Sequence, residues 1–122
     1  MNNIKRILVA LLVSVGLVAG LSACSAPEKV DMATVTAVID VRTPGEFAEG
    51  HLDGAVNVDF QSGRFATDIL EFDPAGTYLI YCKSGNRAGQ AITEMQAAGF
   101  TNLTNLGSVA DASAATDIPV VK

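Results

Sequence analysis

Cys24, Cys82 and the single histidine His51 are the chain's softest or most readily titrating side chains. Only Cys82 stands among residues that could put it to chemical use: it is followed by Lys83, Ser84, Gly85, Asn86 and Arg87. Before it, Thr77 to Tyr81 reads as a strand; after it, Ala88, Ala91, Ile92 and Met95 recur at helical spacing. A cysteine between the end of a parallel strand and the start of a helix occupies the position where open α/β sheets carry their sites. Gly85 permits a tight turn whose successive N–H groups can converge on an anion. The helix N-terminus adds roughly half a positive charge, and Lys83 and Arg87 supply full ones. Such a field favours thiolate over thiol, so Cys82 is expected to titrate below the free value of ~8.5. The same field would hold an anionic substrate against the nucleophile. The plainer alternative is a buried cysteine that ends a core strand, with two solvated cations nearby. The absence of any acidic residue between Asp73 and Glu94 weighs against it.

The elements that must position this loop can be read along the chain. Val35 to Val41 is β-branched and mostly apolar, as a buried parallel strand would be. Thr43-Pro44-Gly45-Glu46 opens a short helix, with Thr43 as N-cap, Pro44 at the first helical position and Glu46 closing a capping box; Gly50 ends it. Ala55 to Asp59 is a second short strand and Phe65 to Phe72 a helix closed by Asp73-Pro74. The helix after Cys82 runs to Gly99, and Leu103 to Leu106 forms another strand. Strands alternating with helices predict an α/β fold with a central, mainly parallel sheet flanked by helices.

Composition bounds the rest. The chain has 122 residues, one domain's worth, with 8 basic and 13 acidic side chains and a net charge of -5. That balance excludes a nucleic-acid-binding surface, which needs clustered cations. Two cysteines make neither a disulfide scaffold nor a four-cysteine zinc site, and one histidine excludes multi-histidine metal centres. Neither a metal nor an organic cofactor is expected. The N-terminus is an address: Lys5 and Arg6 precede an uncharged apolar run from Ile7 to Leu21. As a helix the run spans about 22 Å, short of the ~30 Å bilayer core, and the pattern is that of a secretory signal peptide.

Leu21-Ser22-Ala23-Cys24 resembles the lipobox of bacterial lipoproteins, in which the cysteine is lipidated. The expected division is therefore residues 1–23 as signal peptide, 24–34 as a lipid-anchored tether and 35–122 as the folded domain. The implied location is the cell envelope, beyond the cytoplasmic membrane and attached to a membrane through Cys24. An anchor at Cys24 removes the partner for a disulfide, leaving Cys82 a lone thiol in an oxidising compartment.

Tyr81-Cys82 through Ala88 resembles the active-site loop of the rhodanese family. Asp40-Val41-Arg42, Glu46-Phe47 and Gly50-His51-Leu52-Asp53-Gly54-Ala55-Val56-Asn57-Val58 are similar to that family's first signature, and Ala98-Gly99-Phe100 with Leu106-Gly107 to its third. The likeness spans residues 35 to 121. It implies a rhodanese-like fold and a sulfurtransferase in which Cys82 is the nucleophile. The backbone amides from Lys83 to Arg87 would cradle the sulfur and the anionic donor. It also implies loop support from Asp40 and from an Arg42–Glu46 pair. His51 is expected to pack rather than to shuttle protons. The substrates implied are a small thiosulfate-like sulfur donor and a thiol, or cyanide, as acceptor. Four named residues separate Cys82 from Arg87, one fewer than in the similar loops of cysteine phosphatases, which favours sulfur over phosphate. Two departures stand out: Ser108 and Ala112 replace a glycine and a tryptophan common in the family, which should widen the cleft beside the loop. A first helix before Val35 is also missing. The rival class is a non-catalytic rhodanese-fold module that binds sulfur species or a partner protein.

Overall fold

The strands β1 (Ala37–Asp40) and β4 (Thr77–Tyr81) lie side by side and parallel, with Ile39 opposite Ile80 and Asp40 opposite Tyr81. β3 (Val56–Asn57) flanks β1 and β5 (Asn102–Gly107) flanks β4, so the order is β3-β1-β4-β5, all parallel. The strand ends carrying Asp40, Tyr81 and Gly107 therefore share one edge. This computed structural model describes residues 28–122. The apolar leader and Cys24 lie outside the described residues.

The two central strands are buried on both faces, which is why they read as continuous apolar runs rather than as alternation. Along β4 and the residue after it, Tyr78, Ile80 and Cys82 face one cluster, shared with Ile39, Val41, Phe65 and α3 (Asn86–Ala97). Leu79 and Tyr81 face a second cluster with Val38, Leu52, Leu106 and Ala112 of α4 (Val109–Thr116). Helix α3 buries Ala88, Ala91 and Met95, three of the four residues of its expected stripe. Burial of a side chain such as Ile80, with 0% exposure, contributes about 2 kcal/mol.

Helix α1 (Pro44–Glu49) starts as its sequence dictates: Glu46 N donates to Thr43 Oγ1 at 3.3 Å and Thr43 N to Glu46 Oε1 at 3.4 Å. Several elements differ from expectation. Only Val56–Asn57 of the Ala55 to Asp59 run pairs as strand, and the Phe65 to Phe72 helix is α2 (Phe65–Asp68) continued by a 3-10 turn, Ile69–Glu71. Helix α4 and the antiparallel pair β2 (His51–Leu52) with β6 (Val120–Val121) fall outside the sequence expectation. α4 is alanine-rich and lacks a strong apolar stripe; its start is a capping box of Ser108 and Asp111.

The described part of the expected tether is docked rather than free. Val30 N donates to Ala115 O at 2.9 Å, and Lys29 Nζ reaches Asp117 Oδ1 at 2.6 Å and Ala114 O at 2.7 Å. Val30 and Met32, isolated in sequence, pack against the second cluster. In place of a first helix there is one 3-10 turn, Met32–Thr34, capped by Asp31.

Candidate active site

The Cys82 side chain is fully buried at the carboxyl end of β4, as the strand's alternation requires. Its own N–H donates to Gly107 O at 3.0 Å, which fastens the start of the loop to the neighbouring strand. The chain then turns through Lys83 and Ser84, both exposed, to Gly85 at φ 93°. That left-handed conformation is where glycine is favoured, and a Cβ on Gly85 would stand 3.2 Å from Gly107 Cα. The turn aims two backbone donors at the sulfur: Gly85 N at 2.9 Å and Ala88 N at 3.4 Å from Sγ. The amides of Lys83 and Ser84 donate to no acceptor among the described residues. Helix α3 has no acidic residue in its first turn to offset its positive end. Asn105 fixes the turn from β5, donating to Gly85 O at 2.9 Å while its Oδ1 accepts from Gly107 N at 2.9 Å.

These donors converge on one sulfur at the expected strand–helix junction. Residues 25–112 match the family of rhodanese-like domains. The chain is a rhodanese-like domain. It is 33% identical over 75 residues to the thiosulfate sulfurtransferase PspE of Escherichia coli, covering 60% of this chain and 70% of that one. It is 37% identical over 78 residues to thiosulfate sulfurtransferase 16 of Arabidopsis thaliana, covering 56% and 65%. A thiosulfate:glutathione sulfurtransferase of Saccharomyces cerevisiae is 34% identical over 76 residues, covering 53% and 55%. The match thus spans between about half and about two thirds of these relatives. Among solved structures, a rhodanese with anions from E. coli superposes with TM-score 0.57 at 32% identity, covering 70% of this chain and 96% of that one. A rhodanese-3-like domain from Anabaena gives TM-score 0.62 at 20% identity, covering 70% and 98%, a likeness of fold.

Within this rhodanese-like domain, the ion pairs around the loop are exchanged relative to the sequence expectation. Arg42 does not pair with Glu46. Its Nη2 meets Asp40 Oδ2 at 2.7 Å, its Nε meets Oδ1 and Oδ2 at 3.0 and 3.1 Å, and its backbone N donates to Oδ1 at 2.9 Å. The spacing of four is meaningful only inside a helix, and Arg42 precedes α1. Asp40, two residues back on an extended chain, lies on the same side as Arg42. Burial works against the Arg42 charge, and the bonds from Asp40 overcome it, so its pKa lies above the ordinary value. Arg42 Nη2 also donates to Gly50 O at 2.6 Å, and Asn57 Nδ2 bonds Asp40 O and Arg42 O at 3.0 and 2.9 Å. The Asp40 carboxylate therefore braces the β1–α1 connection, with Arg42 lying 5.8 Å over the Tyr81 ring.

Glu46 is taken instead by Arg87, with Nη1–Oε1 at 2.8 Å and Nη2–Oε2 at 2.9 Å, a bidentate pair joining α1 to the first turn of α3. This bond, aided by Thr43 and opposed by partial burial, pulls the Glu46 pKa down to about 2. Arg87 Nη1 also reaches Gln61 Oε1 at 3.4 Å. Of the expected anion-binding side chains, Arg87 is thus engaged by a carboxylate, and Lys83 is exposed with no ion pair among the described residues. Ser84 Oγ accepts from Asn86 N at 3.4 Å, so it shapes the turn. His51 stacks on Phe47 with centroids 3.6 Å apart, and its Nδ1 lies 2.8 Å from Phe47 O, a packed histidine as expected.

Sequence reasoning missed the Ala88 amide and Asn105. The signal for Asn105 is a polar, β-disfavoured side chain next to Leu106 in an otherwise strand-like run. The departures also have places. Ser108 is the N-cap of α4, and Ala112 is fully buried in the second cluster. A cleft of about 690 Å³ lies beside the loop, lined by Gly85, Asn105, Gly107, Asp111, Ala115 and Glu28 among others; Ser108, Ala112 and Cys82 do not line it.

Proposed function

We propose that this domain is a sulfurtransferase that carries sulfane sulfur on Cys82. The observation that carries the reading is the pair of amide donors on Sγ, Gly85 N at 2.9 Å and Ala88 N at 3.4 Å. Donors fixed by the fold stabilise negative charge on Sγ, at no cost in reorganisation. With thiosulfate, the Cys82 thiolate attacks the outer sulfur; a new S–S bond forms as the old one breaks, and sulfite leaves with the electron pair. The Cys82 persulfide then passes its terminal sulfur to an acceptor thiolate, restoring the enzyme thiolate. This is covalent catalysis in two half-reactions. Relatives named thiosulfate sulfurtransferases support this donor class, and one named thiosulfate:glutathione sulfurtransferase supports a thiol acceptor.

The test is incubation with thiosulfate followed by mass measurement of the intact protein. A gain of one sulfur on Cys82 with release of sulfite, both lost in Cys82→Ser, is the expected result. No persulfide across thiosulfate and organic persulfide donors would leave the non-catalytic reading standing. The leader pattern further supports export and lipid attachment at Cys24. Cys24→Ala should move the protein out of the membrane fraction, and retention there refutes the anchor.

A further inference from the structure

The cations of this site are unequally available. Arg42 is neutralised by Asp40 and Arg87 by Glu46, each within 3 Å, so Lys83 alone among them faces an incoming donor unpaired by any described residue. The donor meets a thiolate in a fully buried setting, where charges are weakly screened. A dianion such as thiosulfate there brings twice the repulsion of a monoanion. The Glu46 carboxylate is also fixed in orientation, because its Oε1 accepts from Thr43 N and Oγ1 while Arg87 grips both carboxylate oxygens.

We infer that Glu46 is a specificity-determining residue that withholds the Arg87 charge from the donor and so sets the site's preference toward singly charged organic persulfides over thiosulfate. The inference rests on the sulfurtransferase reading above and adds the donor class. In the favoured half-reaction the Cys82 thiolate attacks the terminal sulfur of R–S–S⁻. One S–S bond forms and one breaks, and R–S⁻ departs with the electron pair to be protonated by water. Charge is conserved without any oxidant or reductant.

The experiment compares kcat/KM for thiosulfate and for 2-hydroxyethyl persulfide, which carries one negative charge, in the full-length protein and in Glu46→Gln. Glutamine keeps an acceptor for the α1 cap but leaves the Arg87 charge uncompensated. A dianion gains about twice the Coulomb energy of a monoanion, so the thiosulfate-to-persulfide ratio should rise about tenfold, and the rise should shrink with added salt. Arg87→Gln, which leaves Glu46 uncompensated, should move the ratio about tenfold the other way and supplies the test should Glu46→Gln fold poorly. A merely structural role would slow both donors alike and leave the ratio and its salt dependence unmoved. Sulfur transfer with a ratio that stays within twofold in both variants overturns the inference alone. Absence of transfer to Cys82 from either donor overturns the sulfurtransferase reading, and this inference with it.

Discussion

Replacing Asp40 by asparagine should cost about 3–5 kcal/mol of stability, the range expected when one partner of a buried ion pair is removed. The structure places this substitution near the severe end. The Asp40 side chain is 0% exposed and that of Arg42 8%. Four Arg42 donor contacts converge on the carboxylate, at 2.7 to 3.1 Å. Asparagine keeps one acceptor oxygen, turns an N–H₂ toward the guanidinium and leaves the buried cation without its counter-charge. A domain of this size has only about 5–10 kcal/mol in hand. At about 4–8 °C per kcal/mol, its melting temperature should fall by roughly 12–40 °C. Urea unfolding followed by far-ultraviolet circular dichroism measures the difference. Glu46→Gln is the internal control: its carboxylate is 29% exposed, and its cap acceptor survives, so about 1 kcal/mol is expected. A loss below about 1 kcal/mol for Asp40→Asn, or a larger loss for Glu46→Gln, would refute the pairing and the argument from burial.

Two further perturbations test the loop and its support. The Glu46 pKa is lowered to about 2 from an ordinary 4.5, so its contribution is complete above pH 4.5 and lost as pH falls toward 2. After screening at a site 29% exposed, that contribution amounts to about 1 kcal/mol. Unfolding free energies of wild type and Glu46→Gln across that window should converge with acid, and parallel curves would count against the pair. Gly85→Ala forces a Cβ onto a residue at φ 93° and to within 3.2 Å of Gly107 Cα. It should destabilise by about 2 kcal/mol and slow Cys82 persulfide formation in the single-turnover assay more than tenfold. Unchanged rates would show that the Gly85 amide is not needed at the sulfur.

Much of this arrangement is legible in the sequence because local chemistry dictates it. Tyr81-Cys82 is a strand end because the residues before it are apolar and β-favouring, and Gly85 is the turn because only a left-handed residue lets the chain start α3 there. The Thr43–Glu46 cap is written in adjacent residues and forms as read. What cannot be read is partnership across the fold. Glu46 and Arg87 are 41 residues apart, and nothing local distinguishes that match from an Arg42–Glu46 pair. Helix α4 escapes notice because alanines and serines give it no apolar stripe. The docked segment before β1 looks like a tether because Val30 and Met32 acquire meaning only against α4 and β4.

The exchange of ion pairs changes the account of how the loop favours sulfur anions. Had Arg42 taken Glu46, Arg87 would stand beside the loop with an uncompensated charge, and catalysis would rest on net charge. With both arginines matched to carboxylates, the field at Sγ comes chiefly from oriented peptide dipoles and the start of α3. Those dipoles are held by Asn105, by the Cys82 N–H bond to Gly107 O and by the Arg87–Glu46 clasp between helices. Such a field depends on geometry to a fraction of an ångström and little on ionic strength. Substitutions that shift the turn without altering its charge, Gly85→Ala foremost, should therefore damage sulfur loading more than neutralising exposed Lys83 does.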